Sequence, residues 1–171
     1  MDFLIETDRL LLRRFVQADF DDLCEMLQDL DVMSAWEHTF SDAQVQDWLD
    51  RQLERYEKCG VGYWAAVEKE SGKIIGQIGL VWSELNGETV LEPGYILKKA
   101  CWHKGFALEG AKACVDYAFN EVGVKNIYIS IRPENIASLK IAEKLGAKIS
   151  GKHYVHYNNK DMLHLVYTME K

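Results

Sequence analysis

The sequence is poor in the residues that separate domains or cross membranes. Its 171 residues include only 2 prolines and 12 glycines, with no linker rich in Pro, Gly or Ser, no internal repeat and no low-complexity tract. It has no run of about 18 apolar residues, so no transmembrane helix is expected. These absences, in a chain of this length, predict one domain over residues 1–171.

Basic clusters are also missing, and no signal peptide is expected. The formal net charge is −7 and no dense Lys/Arg run occurs, which argues against nucleic acid as a partner. The first eight residues are acidic and lack a basic segment that leads an apolar one, so we expect a cytoplasmic protein without a membrane partner. The acidity is compatible with a cationic acceptor, but solubility alone explains it as well.

Neither cysteine nor histidine forms a convincing metal-binding pattern, so no metal is predicted. The sequence contains no CxxC pair, and the four cysteines are expected to be free thiols. His153, His156 and His164 fall in the predicted C-terminal strands without a nearby Cys or a helical His pair. We expect them to face solvent, with His153 or His156 at the acceptor end of a site as the alternative.

Helical and strand patterns alternate along the chain. Apolar periodicity predicts helices over 18–27, 41–59, 107–121 and 136–145, and a loop over 31–40. Ser41 and Gln44 stand at the capping-box positions of the second helix. Strands are predicted over 9–14, 62–68, 74–81, 90–97, 126–131, 149–155 and 162–169.

Turn residues between these strands indicate how they pair. Ser71-Gly72 and Asn86-Gly87 favour antiparallel hairpins in the first half, and Asn158-Asn159 favours a turn between the last two strands. The later strand–helix–strand order is typical of a crossover connection. Together the elements predict a mixed α/β fold.

The most informative segment is Trp102-His103-Lys104-Gly105-Phe106-Ala107, between a predicted strand and a predicted helix. A turn that opens a helix presents free N–H groups and the positive end of the helix dipole, which together favour phosphate. Gly105 lets backbone approach a ligand closely. The alternative is an ordinary connection with a convenient glycine, since neither a Walker loop nor a dinucleotide motif is present.

Two further segments carry polar groups close to predicted strand ends. Asn135 begins the last predicted helix and is either a plain N-cap or a ligand contact in the same crevice. Glu92-Pro93-Gly94-Tyr95 interrupts a strand, which indicates an edge, a bulge or a bend. If that strand splays from its neighbour, Glu92 is a carboxylate beside the opening, placed to take a proton.

In combination these segments resemble the GNAT superfamily of N-acetyltransferases, in particular the branch of ribosomal-protein-alanine N-acetyltransferases. The matching pieces stand in the family's order and cover nearly the whole chain: residues 6–13 (ETDRLLLR), 93–95 (PGY), 102–107 (WHKGFA) with Glu109, 135–138 (NIAS) and 143–146 (EKLG). The resemblance implies a GNAT-like α/β fold, with a mostly antiparallel central sheet flanked by helices and splayed strands that form a CoA cleft.

The resemblance also implies acetyl-CoA as the donor and assigns residues to it. The pyrophosphate loop falls on residues 102–107, so His103, Lys104, Gly105, Phe106 and Ala107 are expected at the cofactor. His103 stands where the family often keeps a small residue. Backbone groups of Ile96, Leu97 and Lys98 are expected to pair with the pantetheine arm, like an added strand. Asn135 is expected to contact the cofactor, and Ser138 to lie near its sulfur.

The catalytic assignments follow from the same resemblance. Many family members carry a tyrosine as general acid in the last helix, and this chain has Ala142 there. Ser138 is therefore our candidate proton donor, with water as its rival. Glu92 is the candidate base for the acceptor ammonium, with Tyr95 as the weaker alternative. Trp36 and Tyr95 are expected to line the acceptor pocket, where Glu37 would offer an anion to a cationic acceptor.

The sequence thus predicts an acetyl-CoA-dependent N-acetyltransferase that acts on a primary amine by direct transfer in a ternary complex. The acceptor could be a small-molecule amine or a protein N-terminus. The alternative is a CoA-binding regulatory module without turnover, which the missing tyrosine keeps open. Whether a homodimer forms is not fixed by the sequence.

Overall fold

A computed structural model describes residues 3–157 and 159–171 of the chain, and eight strands and four helices form its framework. The strands are β1 (Phe3–Glu6), β2 (Leu10–Arg13), β3 (Tyr63–Glu68), β4 (Ile74–Leu85), β5 (Glu88–Leu97), β6 (Asn126–Ile131), β7 (Lys148–Tyr157) and β8 (Lys160–Glu170). The helices are α1 (Phe20–Leu27), α2 (Asp42–Cys59), α3 (Phe106–Tyr117) and α4 (Ile136–Lys144). Among the helices in these ranges, none is long and apolar enough to cross a membrane.

The strands form two antiparallel sheets. The first has the order β1-β2-β3-β4-β5, and the second has the order β6-β8-β7. Strands β5 and β6 form no ladder with each other in the described ranges, yet the Ser130 hydroxyl of β6 donates to Glu92 of β5 at 2.6 Å. The two sheets therefore lie next to each other with a gap between β5 and β6.

The sequence of β5 explains why its outer edge stays open. Lys98, directly after the strand, donates its N–H to the Ile75 carbonyl at 2.9 Å, in register with the β4–β5 ladder. Since backbone groups alternate along an antiparallel pair, those of Leu97, Tyr95 and Pro93 point away from β4 and toward β6. Pro93 has no N–H to donate, so a continuous ladder across this edge is interrupted there.

The helices cover both faces of the first sheet. Helices α1 and α2 bury their apolar sides in a core cluster with Phe15 and Ile96, whereas α3 and α4 pack in a second cluster with Trp64 and Ile78. On α3, a Cβ at position 110 would collide with Ile78, so the glycine there lets the helix lie close against β4. The two helical layers therefore lie on opposite faces of the first sheet.

Most predicted elements are confirmed, and the differences have simple causes. Ser41 and Gln44 form the expected capping box, and the Asn86-Gly87 pair forms the two-residue hairpin turn with φ of 52° and 87°. Strand β1 was missed, since its four residues are too few to show a clear period. The turn predicted at Asn158-Asn159 is described only at Asn159, because position 158 lies outside the described residues.

Candidate active site

A cleft of about 920 Å³ opens where β5, α3 and α4 meet. Its walls come from the loop after α1, the end of β5, the first turn of α3, the end of β6 and the first two turns of α4. It brings together most of the residues predicted for the cofactor: Ile96, Leu97, His103, Gly105, Phe106, Ala107, Asn135 and Ser138. Two predicted cofactor residues, Lys98 and Lys104, lie outside this lining.

The turn before α3 has the backbone shape of an anion site. His103 has φ of 61° and Gly105 has φ of 84°, so both lie in the left-handed region. Gly105 is the N-cap residue and no side chain caps the helix, although Glu109 donates its N–H to the Gly105 carbonyl. The N–H groups of the first helical turn therefore point outward without intrahelical partners. His103 fits the turn by adopting a conformation that usually favours glycine.

Contacts from the N-terminal hairpin hold this turn in place, and the sequence analysis did not foresee them. The Glu109 carboxylate accepts from the Thr7 hydroxyl at 2.6 Å and from the Arg9 side chain at 2.6 Å. Arg9 also donates to the Lys104 carbonyl at 2.9 Å and stacks over the Phe106 ring at 4.4 Å. The signal that could have suggested the pairing is that Arg9 and Glu109 both lie in the segments that resemble one family.

The pKa of Glu109 reflects these contacts. Burial has the largest single influence and raises the pKa, but hydrogen bonds from Thr7 and from the Arg9 backbone and side chain outweigh it. The net pKa is lowered from the ordinary value for glutamate. Glu109 is therefore a carboxylate at neutral pH that fixes the turn rather than a group that exchanges protons.

The three strand residues expected to pair with a pantetheine arm differ in orientation. The N–H and carbonyl of Leu97 point toward the gap, and the carbonyl accepts from the Trp102 indole at 2.9 Å. Ile96 lines the cleft with its side chain, while its backbone faces β4. Lys98 has no free N–H, because that group bonds to Ile75, and its ammonium pairs with Asp22 at 2.6 Å. The expected backbone contacts of Ile96 and Lys98 with a pantetheine arm are therefore wrong, and only Leu97 keeps its backbone groups toward the gap.

The N-terminus of α4 is capped by the side chain of its N-cap residue. The Asn135 amide oxygen accepts from the Ser138 N–H at 3.1 Å, so Asn135 is an N-cap, although it also lines the cleft. Ala142 is fully buried in the core, so position 142 supplies no polar group to the site. Ser138 and Tyr95 line the cleft together. Burial raises the pKa of Tyr95, and a hydrogen bond with the Ser138 side chain partly opposes the rise.

Glu92 lies on the opposite face of β5 from Tyr95. Its carboxylate accepts from the hydroxyls of Ser83 on β4 and Ser130 on β6, the latter at 2.6 Å. It therefore spans the gap between the two sheets without lining the cleft itself. The charge of Glu92 also contributes to raising the pKa of Tyr63 to about 12, after burial as the main cause. The Glu92 carboxylate thus lies on the face of β5 that is directed toward α2, opposite the face that carries Tyr95.

The loop between α1 and α2 borders the cleft as well. Trp36 lines the cleft, and its role as a wall of the acceptor pocket stays a prediction. Glu37 has φ of 59° and is already paired, with Arg132 at 3.1 Å and with Lys160 at 2.8 Å. Hydrogen bonds from Lys160 and then Arg132 lower the pKa of Glu37. The expectation that Glu37 offers a free anion to the acceptor is therefore wrong.

The three C-terminal histidines do not share one environment. His156 is exposed and bonds to Asp161 at 2.8 Å, whereas His153 and His164 lie opposite each other on β7 and β8, with ring centroids 5.7 Å apart. The expectation that all three face solvent is wrong for His153, whose Nε2 is buried. Over residues 3–157 and 159–171, no three His, Cys, Asp or Glu side chains are grouped as metal ligands.

The residues of the cleft fit a phosphate-bearing cofactor with an elongated apolar arm. The open helix end at Gly105 supplies N–H groups for phosphate, and the edge of β5 supplies backbone groups at Leu97 and Tyr95 that have no neighbouring strand. The volume of about 920 Å³ lies within the usual range for cofactor sites.

Comparison with known proteins gives concordant matches. A family profile described as an acetyltransferase (GNAT) domain matches residues 9–148. The uncharacterized protein YkkB of Bacillus subtilis (strain 168) is 35% identical over 145 residues, which are 84% of each chain. The uncharacterized N-acetyltransferase p20 of Bacillus licheniformis is 30% identical over 148 residues, which are 85% of this chain and 82% of p20.

A solved structure agrees in fold. The chain superimposes on RimL, a ribosomal L7/L12 alpha-N-protein acetyltransferase in complex with coenzyme A, with a TM-score of 0.81. The superposition covers 99% of this chain and 98% of RimL. Since the two sequences are only 12% identical, this likeness shows the fold and does not transfer the acceptor.

Proposed function

The chain belongs to the GNAT family of acetyltransferases and is an acetyl-CoA-dependent N-acetyltransferase; from that premise we propose that it transfers the acetyl group directly to a primary amine bound at the same time. The observation that carries the proposal is the gap between β5 and β6. The cofactor cleft lies on one side of it and the Glu92 carboxylate on the other. Two reactants can therefore meet there from opposite faces.

The chain's own backbone would hold the cofactor. The N–H groups at the start of α3 would bind the pyrophosphate, with Gly105 letting it approach. The N–H groups of Leu97 and Tyr95, which face the gap, would pair with the pantetheine arm and polarise the thioester carbonyl. Trp102 keeps the strand end and the turn at a fixed distance through its bond to Leu97.

Glu92 would act on the acceptor. A bound amine arrives as an ammonium, which cannot attack until it loses a proton. Glu92 would attract the ammonium and take that proton, directly or through water, while Ser83 and Ser130 hold the carboxylate in position. Acetyl-CoA supplies the acetyl group as an activated thioester. The new N–C bond forms as the C–S bond breaks.

Ser138 would donate the proton that the departing sulfur needs. Its hydroxyl lines the cleft at the start of α4, and its partner Tyr95 keeps its own proton because burial raises the phenol's pKa. A tyrosine whose pKa is raised holds its proton more tightly, so Tyr95 stays neutral beside Ser138. The Ser138–Tyr95 pair thus replaces the single tyrosine that this chain lacks at Ala142.

The replacement of Glu92 by Gln tests this proposal. The amide keeps the shape but cannot accept the proton, so kcat should fall about 100-fold or more. The dissociation constant for acetyl-CoA, measured by calorimetry, should change less than about twofold. Glu88→Gln is the matched control, since Glu88 is an exposed glutamate on the same strand and face. Unchanged kcat in Glu92→Gln, with an amine that the wild type acetylates, would remove Glu92 from the mechanism.

A further inference from the structure

Five aromatic rings form a continuous row on the face of the protein that carries Glu92. Neighbouring centroids lie 5.3–5.9 Å apart, the usual spacing of interacting rings. We call this set the aromatic row, and all five residues are only partly buried: Tyr157, His38, Phe40, Trp48 and Tyr63. Each residue of the aromatic row therefore keeps part of its surface exposed, so the row presents a partly exposed aromatic surface.

The aromatic row leads to the proposed base. Tyr63, its last member, covers Gly94 so closely that a Cβ at that position would collide with the phenol ring. Gly94 is two residues from Glu92 on the same face of β5, and the Glu92 charge contributes to the raised pKa of Tyr63, second to burial. A molecule that lies on the row can place one end at the carboxylate.

The loop that begins the row also separates it from the cofactor cleft. Residues 34–37 line the cleft, and Arg132 of the β6 end donates to the Ala35 carbonyl at 2.8 Å. The next residues along the loop, His38 and Phe40, belong to the row, and His38 bonds to the Tyr157 hydroxyl of the C-terminal hairpin. The loop thus contacts both halves of the protein. Because it lies between the cofactor cleft and the aromatic row, the two are separate surfaces.

The charges along the row favour a molecule with a single ammonium. The Arg51 guanidinium lies 5.6 Å from the Trp48 ring centroid and acts on the Tyr157 phenol, and Arg55 acts on Tyr63. Glu37, at the hairpin end, is already neutralised by its cationic partners. A second ammonium on the ligand would therefore meet the Arg51 and Arg55 cations along the row, whereas the Glu92 carboxylate lies beyond its Tyr63 end.

A buried nitrogen near Glu92 lacks a partner. The Nε2 atom of His153 is buried and makes no hydrogen bond within the described part of the chain. Burial lowers the pKa of His153, His164 lowers it further, and the Glu92 charge opposes the effect. His153 is therefore a neutral imidazole within reach of the Glu92 charge, and its buried, unpaired Nε2 could bond to a ligand amine only after a shift of the surrounding side chains.

We propose that the acceptor is a small monoamine with an aromatic body, which lies on the aromatic row with its ammonium at Glu92. This inference rests on the proposed acetyl transfer and names its substrate class. In the reaction the ammonium first loses one proton to Glu92, and the neutral amine nitrogen then bonds to the acetyl carbon. The C–S bond breaks, the nitrogen loses its second proton, and the thiolate takes a proton from Ser138, which the released proton restores, to give free CoA. The products are an N-acetyl amine and CoA.

Acceptor competition tests the class. We would measure thiol release with 2-phenylethylamine, butylamine, spermidine and a hexapeptide with a free N-terminal alanine, and would measure amine binding separately by calorimetry. We expect kcat/KM for 2-phenylethylamine to exceed the other three by at least tenfold. A higher kcat/KM for spermidine or the hexapeptide would overturn the inference. Failure of 2-phenylethylamine to bind would also overturn it, whereas binding of that amine without turnover of any amine would instead count against the proposed transfer.

A matched pair of variants tests the row itself. Phe40→Leu removes a ring of the row, so KM and the calorimetric dissociation constant for 2-phenylethylamine should rise about three- to tenfold, the size expected for one aromatic contact. The dissociation constant for acetyl-CoA should stay within twofold of the wild-type value. Phe20→Leu, at a partly buried phenylalanine packed in the α1–α2 core, should change neither constant for the amine. Equal effects of the two variants on amine binding would overturn the assignment.

Discussion

The two helices that open onto the cleft begin in different ways. Helix α3 starts at Gly105, which has no side chain to cap the free N–H groups, and the turn is held from outside by Arg9 and Glu109. Helix α4 starts at Asn135, whose amide oxygen already accepts from the Ser138 N–H. An uncapped end has donors left for an anion, whereas a capped end has fewer.

The difference shows that a helix start beside a cleft is not by itself a binding site. What marks the α3 end is rigid support by residues far away in sequence, which leaves its donors unused. We therefore propose phosphate binding at the α3 end and reaction chemistry, through the Ser138 hydroxyl, at the α4 end. The following changes separate these two roles.

The largest effect is expected for Gly105→Trp. Position 105 has φ of 84°, which costs an L-residue about 1–2 kcal/mol, and the indole would cover the exposed N–H groups. We expect CoA affinity to fall at least 100-fold by calorimetry while the circular dichroism spectrum stays native. Gly123→Trp is the control, since Gly123 has φ of 80° and open space around it. Equal CoA affinity in both variants would contradict the phosphate assignment.

A smaller effect is expected for Glu109→Gln, which weakens the support of the turn without touching the cofactor. Loss of the carboxylate charge removes the ion pair with Arg9 at 2.6 Å. We expect CoA affinity to fall about tenfold and the melting temperature to drop. Glu121→Gln is the control, because Glu121 is exposed and follows the same helix. It should change neither the CoA affinity nor the melting temperature. Wild-type affinity in Glu109→Gln would mean that the turn keeps its shape unaided.

The stability effect of Glu109 should depend on pH. Because the folded pKa is lowered, Glu109 stabilises the fold above its ordinary pKa of about 4.3, and that contribution is lost as pH falls through the lower folded value. The difference in free energy of unfolding between wild type and Glu109→Gln should therefore be constant from pH 7 to 5 and shrink below about pH 4. Urea denaturation at each pH measures this difference in free energy. A difference that stays undiminished down to pH 3 would contradict the role of the Glu109 charge.

The smallest effect on the cofactor is expected for Asn135→Ala. Loss of the cap should cost about 1 kcal/mol of stability. The CoA dissociation constant should rise less than about threefold, because the Asn135 amide oxygen serves the helix. Asn135→Asp should restore stability, since aspartate caps equally well. A loss of CoA affinity as large as that of Gly105→Trp would make Asn135 a direct ligand.

Local patterns along the chain predicted most of the fold and part of the site. The Ser41 capping box, the Asn86-Gly87 hairpin and the Gly105 turn all depend on residues within a few positions of each other, so the sequence alone reveals them. Residues 96–98 were expected to act alike, but the pairing with β4 turns the backbone of alternate residues in opposite directions.

Longer-range contacts could not be predicted in this way. The charge of Glu37 is a feature of the sequence, but its neutralisation depends on Arg132 and Lys160, which are about 95 and 123 positions away. The orientation of His153 toward Glu92 likewise depends on the register of β7 against β8. Shifting that register by one residue would turn the imidazole to the other face.

The amino-acid sequence by itself determined that this chain has an open, glycine-led turn before its third helix and no tyrosine in its fourth. Those properties reside in single residues and their neighbours. Only the tertiary structure decided which N–H groups remain free, which carboxylates are already paired, and that separate aromatic residues join in one row that ends at Glu92. These outcomes depend on packing between segments that are distant in sequence, because tertiary contacts determine the partners of each charged group and each aromatic ring.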